Sequence, residues 1–302
     1  METPIIIGKG TSGVVFYPPL PCSNKIVICD NCVAKLMKTI EGYQEEISNN
    51  ELIESVDPTN LYHIPMIGHC EGEHDSIPKE YNEYEMLIFY ERAQYDLMVA
   101  LRAISDIPED RPKALDFLRK FSRLFDALVL FNEKHFVHCD IKFDNIMVDL
   151  NGEFKFIDFG LSFDDEPTDF GVFDGNYPYW PPETIYLAED FTDTSIDDTV
   201  AFYQTNNIVK QTSGVLNKDD LQAILIDEST LSRREIYPFI DIFGLGSVLA
   251  YCCSWLGYHI ETAEAVDSWY VLLEGMTNWD LDKRLTPLVA RKLYNDILQL
   301  YV

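Results

Sequence analysis

Positive charge is scarce in this sequence. Lys and Arg number 23 among 302 residues, against 51 Asp and Glu, a formal net charge of -28. Such a field disfavours nonspecific association with nucleic acid or anionic lipid and attracts basic proteins. Most of it is expected to be a solvated acidic surface that aids solubility. Secretory features are also missing, with no signal peptide and no N-glycosylation sequon. The seven cysteines are scattered, so a reduced, intracellular protein, most simply cytoplasmic, is expected. One metal-like spacing occurs, Cys29-Asp-Asn-Cys32, with Cys22 before it and His69-Cys70 after it. Its second pair is irregular, which favours buried or turn cysteines over zinc. A long membrane-crossing run is lacking too. The nearest stretch, Phe239 to Leu256, is at the short limit and carries Asp241 near its start, so a helix buried on all sides is expected.

What is present is a change of periodicity along the chain. The first third reads as strands with one helix: Ile5 to Ile7 and Val14 to Tyr17 around a glycine-rich turn, Ile26 to Ile28, and Cys32 to Leu36. A helix follows over Glu45 to Val56, ending before Asp57-Pro58, and Met86 to Phe89 is a buried strand. The pattern then breaks at 90–95, the expected hinge. Beyond it, Ala114, Phe117, Leu118, Phe121, Leu124, Phe125, Leu128 and Phe131 recur at three- and four-residue steps, a long helix with a wide apolar face. Two short strands, Ile146 to Val148 and Phe154 to Ile157, flank an Asn151-Gly152 turn. The expected fold is α+β and bilobal. A small β-rich lobe with one main helix covers 1–89, and a larger, mostly helical lobe covers 96–302, with an insertion at 184–236. Pro287 marks an early position of the last helix.

Chemistry concentrates in two loops. His138-Cys-Asp140-Ile-Lys142-Phe-Asp-Asn145 is followed by Asp158-Phe159-Gly160. Asp140 can orient a hydroxyl and accept its proton, and Lys142 can steady a transferred phosphoryl group. Asn145 and Asp158 offer hard oxygen ligands for magnesium. The combination suits metal-assisted phosphoryl transfer, in which positioning and charge neutralisation dominate. His138 is read as a packed support of the loop. Upstream, Gly8-Lys-Gly10-Thr-Ser-Gly13-Val-Val15 lies between two strands, where glycines let backbone amides approach phosphates. Lys35 is the lone cation of an apolar strand and can reach those phosphates if a carboxylate fixes it. Glu46 is favoured for that role, with Glu45 close behind and Glu41 weaker, because the helix phase is open.

In this order and combination the motifs resemble eukaryotic-type protein kinases over nearly the whole chain, the insertion excepted. Further matches are Val33-Ala34-Lys35, Gly175-Asn-Tyr-Pro-Tyr-Trp-Pro181-Pro182-Glu183, Asp241-Ile-Phe-Gly-Leu-Gly246 and Asp282-Lys-Arg284-Leu-Thr. Lys142 is similar to the serine/threonine class. The resemblance implies ATP and Mg2+, protein substrates, a Glu183–Arg284 ion pair, and an Asp241 that organises the catalytic loop. The nucleotide-contacting set is then Gly8, Gly10, Gly13, Val15, Lys35, Phe89 and Tyr90. Departures are Cys139 in place of the common arginine, Asn176 in place of threonine, Pro181 in place of alanine, and the insertion. Irregularities of this kind are similar to those of compact kinases of large DNA viruses, for which host cytoplasm and virion would both be possible sites. The acidic charge makes basic proteins sensible substrates, and the insertion offers a partner surface. Two other classes fit less well: a small-molecule phosphotransferase, and a kinase-like binding scaffold with little catalysis.

Overall fold

A computed structural model describes residues 3–10, 12–23, 29, 31–81, 83–164, 179–182, 184, 236–262 and 264–301. The expected strand at Ile26 to Ile28, Asn176, Glu183 and nearly all of the 184–236 insertion lie outside these residues. In chain order the strands are β1 (Ile5–Lys9), β2 (Gly13–Tyr17), β3 (Cys32–Met37), β4 (Met66–Glu71), β5 (Met86–Glu91), β6 (Tyr95–Asp96), β7 (Phe136–Val137), β8 (Ile146–Val148), β9 (Phe154–Phe156) and β10 (Phe163–Asp164). The helices are α1 (Ile40–Val56), α2 (Leu97–Arg102), α3 (Arg111–Glu133), α4 (Ile240–Ile260), α5 (Val266–Met276) and α6 (Pro287–Gln299). The chain divides into two compact units, one formed by 1–94 with 148–160, the other by 95–147 with 161–302.

The first unit is an antiparallel sheet of order β1-β2-β3-β5-β4 with α1 on one face. Because side chains alternate along a strand, each strand serves two faces. Cys32, Ala34 and Leu36 of β3 pack with Val14, Phe16, Leu20, Leu87 and Phe89 in one core. Ile88 turns the other way, joining Met37 of β3 and Tyr43 of α1, with Tyr90 and Met86 beside them. β5 runs two residues past the strand end expected at Phe89, because Val33 pairs Tyr90 and Cys32 pairs Glu91. α1 begins at Ile40, earlier than the Glu45 of the sequence reading. Thr39 is the reason: its extended backbone and hydroxyl, accepting from Gly42 N at 3.0 Å, cap the helix.

The cysteines differ from the reduced expectation. Cys22 is joined to Cys70 and Cys29 to Cys32, with Cα separations of 5.9 and 5.8 Å, while Cys139, Cys252 and Cys253 stay unpaired in sulfur. Pairing of 22 with 70 follows from the bridge that lays Cys22 against Gly72. His69, the histidine of the zinc-like spacing, turns instead to the Tyr43 hydroxyl at 2.6 Å.

At the end of α1, Asp57 is buried and accepts from Leu61 N at 3.1 Å and Tyr62 N at 2.8 Å, with His63 Nδ1 at 2.9 Å. Burial pushes this carboxyl up, but His63 and the two amides outweigh it and hold it below its ordinary 3.8. A depressed folded-state value contributes stability that is full above the unfolded value and is lost as pH falls through the folded one. Asp57→Asn is therefore expected to be less stable than wild type at neutral pH and to lose less on acidification, read by melting temperature across an acid series.

The second unit is helical. The stripe read from α3 is its buried side, and Tyr294 of α6 donates to Leu118 O at 2.7 Å among the Phe121, Phe125 and Trp269 rings. Among the described residues one helical stretch, Tyr237–Ile260, is long and apolar enough to cross a membrane, and 72% of its most apolar window is buried within the protein. Gly244 in it passes so close to Ile141 O that a Cβ would stand 3.2 Å away. β7 pairs antiparallel with β10, Val137 opposite Phe163, and the acidic loop leaves directly from β7.

Candidate active site

In the first unit, strand alternation places Lys35 on the α1 face, and the helix phase set by the Thr39 cap turns Glu46 towards it. Lys35 Nζ lies 2.6 Å from Glu46 Oε1 and 2.5 Å from Oε2, with both side chains largely buried. Glu46 is therefore the partner, rather than its rivals Glu45 and Glu41. The carboxylate has further partners that the sequence reading missed. Tyr90 donates to Oε1 at 2.7 Å, and Asn50 donates to Tyr90 at 2.9 Å. Two signals could have found them: Asn50 is one helical turn beyond Glu46, and Tyr90 is two strand positions beyond Ile88, on the same face.

The glycines of the first turn divide into two kinds. A Cβ on Gly10 would meet only open space to 4.0 Å, and one on Gly8 only ordinary contacts with Val15. Gly13 is different: its Cβ would stand 2.6 Å from Leu36 O of β3. Close backbone approach inside the sheet thus demands glycine there, whatever its relation to phosphate. Gly13→Ala is expected to cost about 1–3 kcal/mol of stability through overpacking, measurable as a lowered melting temperature. Phe89 sits in the sheet core, and Tyr90 points its hydroxyl to Glu46. Asp158 holds a left-handed backbone, φ 62°, unusual outside glycine.

In the second unit, Asp140, Lys142 and Asn145 form one cluster. Lys142 Nζ and Asn145 Nδ2 each lie 2.7 Å from Asp140 Oδ2, and Asn145 Nδ2 also donates to Asp140 O at 2.9 Å. The carboxylate is thereby held by two donors on one oxygen. The loop itself is held from α4. Asp241 accepts from His138 N at 2.8 Å and Cys139 N at 2.9 Å. Burial pushes the Asp241 carboxyl above 3.8, against the lowering effects of His138 and the two amide bonds. Cys139 is left-handed at φ 66°, pinned by Asp241 at its N–H and by Trp180 Nε1 at its carbonyl. Strained backbone persists where neighbours over-determine it. Trp180 was missed as an anchor, since nothing local links it to a loop forty residues away. The Cys139 thiol is pushed well up by burial and by the charges of Asp241 and Asp140, so it is unreactive. Arg284 is buried, donating to Asn278 O at 2.8 Å and lying 5.3 Å from the Phe243 ring centre.

A family model described as "Protein kinase domain" matches residues 2–296. The chain belongs to the protein kinase family. The kinase domain is 35% identical over 98 residues to sperm motility kinase 2B of Mus musculus, covering 32% of this chain and 19% of that protein. It is 40% identical over 63 residues to an Aurora kinase of Dictyostelium discoideum (21% of this chain, 16% of the relative). Against the serine/threonine-protein kinase Aurora-1 of Arabidopsis thaliana the identity is 31% over 117 residues, 36% of this chain and 38% of the relative. The aligned stretch thus spans about a fifth of the length of the sperm motility kinases it matches. The α+β architecture, a sheet-rich N-terminal part and a helical C-terminal part, is that of the family.

Proposed function

We propose that this kinase domain transfers the γ-phosphoryl group of ATP to serine or threonine hydroxyls of proteins. The observation that carries the reading is Asp140, fixed by Lys142 and Asn145 on one carboxylate oxygen, in a loop whose backbone Asp241 clamps. A carboxylate so oriented can direct a hydroxyl at phosphorus and take its proton late in transfer. Lys142 places a positive charge beside that carboxylate, suited to a phosphoryl group in flight. Lys35, steadied by Glu46, is suited to the nucleotide phosphates. Asn145 donates through Nδ2 to Asp140, which leaves its amide oxygen as a hard ligand of the kind magnesium takes, and the Asp158 carboxylate of the first unit is a ligand of the same chemical kind. When bound, the ion would supply charge neutralisation on the phosphates. Serine/threonine specificity rests on Lys142 and on the similarity to the serine/threonine-protein kinase Aurora-1 of Arabidopsis thaliana. The buried, unreactive Cys139 offers no positive charge to a phosphorylated loop, so the domain is read as competent without that modification.

The test is transfer of labelled phosphate from ATP with magnesium by purified wild type and Asp140→Ala protein, to itself and to basic proteins, with sites identified by mass spectrometry. Phosphoserine or phosphothreonine with wild type alone is the expected result. Transfer to small alcohols only would make the domain a small-molecule phosphotransferase. ATP binding without transfer to any acceptor would make it a scaffold.

A further inference from the structure

Glu46 reaches Lys35 from a helix with little apolar anchorage. Of its seventeen residues, Tyr43, Asn50, Ile53 and Val56 are buried, and one of these four is an amide. Asn50 is 4% exposed, and the same atom of its side chain donates to Glu46 O at 2.7 Å and to Tyr90 Oη at 2.9 Å. The peptide carbonyl oxygen can only accept, so the Asn50 atom touching both partners is the nitrogen. That settles the order of protons. A phenol has one proton to give, and with Asn50 donating into its oxygen the Tyr90 proton goes to Glu46 Oε1, 2.7 Å away. Charge-assisted bonds of this kind are the strong ones in a partly buried site.

We propose that Asn50 and Tyr90 are positioning residues, a two-step hydrogen-bond relay that holds Glu46 turned to Lys35 without a partner protein or a phosphorylated loop. The inference deepens the kinase reading and rests on it where Lys35 and Glu46 are assigned to nucleotide phosphates. Loss of the Tyr90 proton would break the relay. Burial, then the negative charges of Glu46 and Asp158, pushes that proton's release well above the ordinary tyrosine value, so the relay persists through the physiological range. A purely space-filling role for Tyr90 would be met equally by phenylalanine. The relay would not.

The test labels lysines of the nucleotide-free full chain with limiting acetic anhydride. Mass spectrometry follows Lys35 against the exposed Lys79 as internal reference, at a temperature where every variant is folded by circular dichroism. Tyr90→Phe removes the donor to Glu46, and Lys35 acylation is expected to rise roughly 10-fold, the scale of one lost hydrogen bond to a charged group. Asn50→Leu removes only the orienting step and is expected to give a smaller rise. Tyr43→Phe removes a hydroxyl from the same helix that bonds His69 and not Glu46, and is expected to leave Lys35 unchanged. Phosphate transfer measured in parallel should show kcat falling in the order Asn50→Leu, then Tyr90→Phe. Equal Lys35 labelling in wild type and Tyr90→Phe overturns the relay, as does an equal rise in Tyr43→Phe. Wild type that transfers no phosphate overturns the kinase reading, while the labelling still decides the relay.

Discussion

Asp140→Ala is expected to reduce phosphate transfer by roughly 100-fold or more, the range for removing a general base. The role assigned to Asp140 says why the loss should lie in turnover. It serves the hydroxyl and its proton rather than the nucleotide phosphates, so ATP affinity is expected to change little. Deleting the carboxylate also releases two donors: Lys142 Nζ and Asn145 Nδ2 both point at Asp140 Oδ2. Asp140→Asn keeps the shape and is expected to fail almost as badly. Its single oxygen can serve those two donors only by turning an NH2 group, which accepts nothing, to the remaining side. Single-turnover transfer and nucleotide titration check both statements. An alanine variant with wild-type turnover would remove Asp140 from the mechanism.

Asp241→Ala is expected to be the most damaging substitution for the loop. Two backbone amides, His138 N and Cys139 N, would lose their shared acceptor inside the protein. Each orphaned donor costs about 1–3 kcal/mol, and the pair about 2–6 kcal/mol. The left-handed Cys139 would lose one of its two restraints at the same time. Asp241→Asn should sit between, since one oxygen can serve only one amide without opposing a donor to a donor. Linkage runs opposite to that of Asp57. A folded-state value raised by burial means the ionised carboxylate costs stability above that value, a cost relieved as pH falls towards the unfolded 3.8. Hydrogen exchange resolves the effect locally. The His138 and Cys139 amides should be strongly protected in wild type and exchange far faster in Asp241→Ala, with α3 amides little changed. Unchanged protection at those two positions would remove Asp241 from the role.

Legibility in the sequence followed the range of the interaction. Asp140, Lys142 and Asn145 lie within six residues, so a short loop must bring them together, and their chemistry could be read from their spacing. The α3 stripe was legible for a similar reason, because a helix repeats its buried face every turn. Glu46 was harder. Glu45 and Glu41 shared its chemistry, and the choice depended on helix phase, which the Thr39 cap sets. The Cys22–Cys70 pair was not legible, because the two cysteines meet only where the chain around Gly72 returns to Cys22.

The sequence by itself determined the acidic surface, the alternation of strand and helix, and the local catalytic loop, since all three depend on composition or on neighbours a few residues apart. Tertiary structure alone decided three things. It brought Trp180 to Cys139, made Gly13 a necessity of the sheet, and aimed Tyr90 at Glu46 from a strand forty-four residues on. Each of these requires two surfaces to meet, and the distance between groups far apart in sequence is set by how cores pack, which no local pattern encodes.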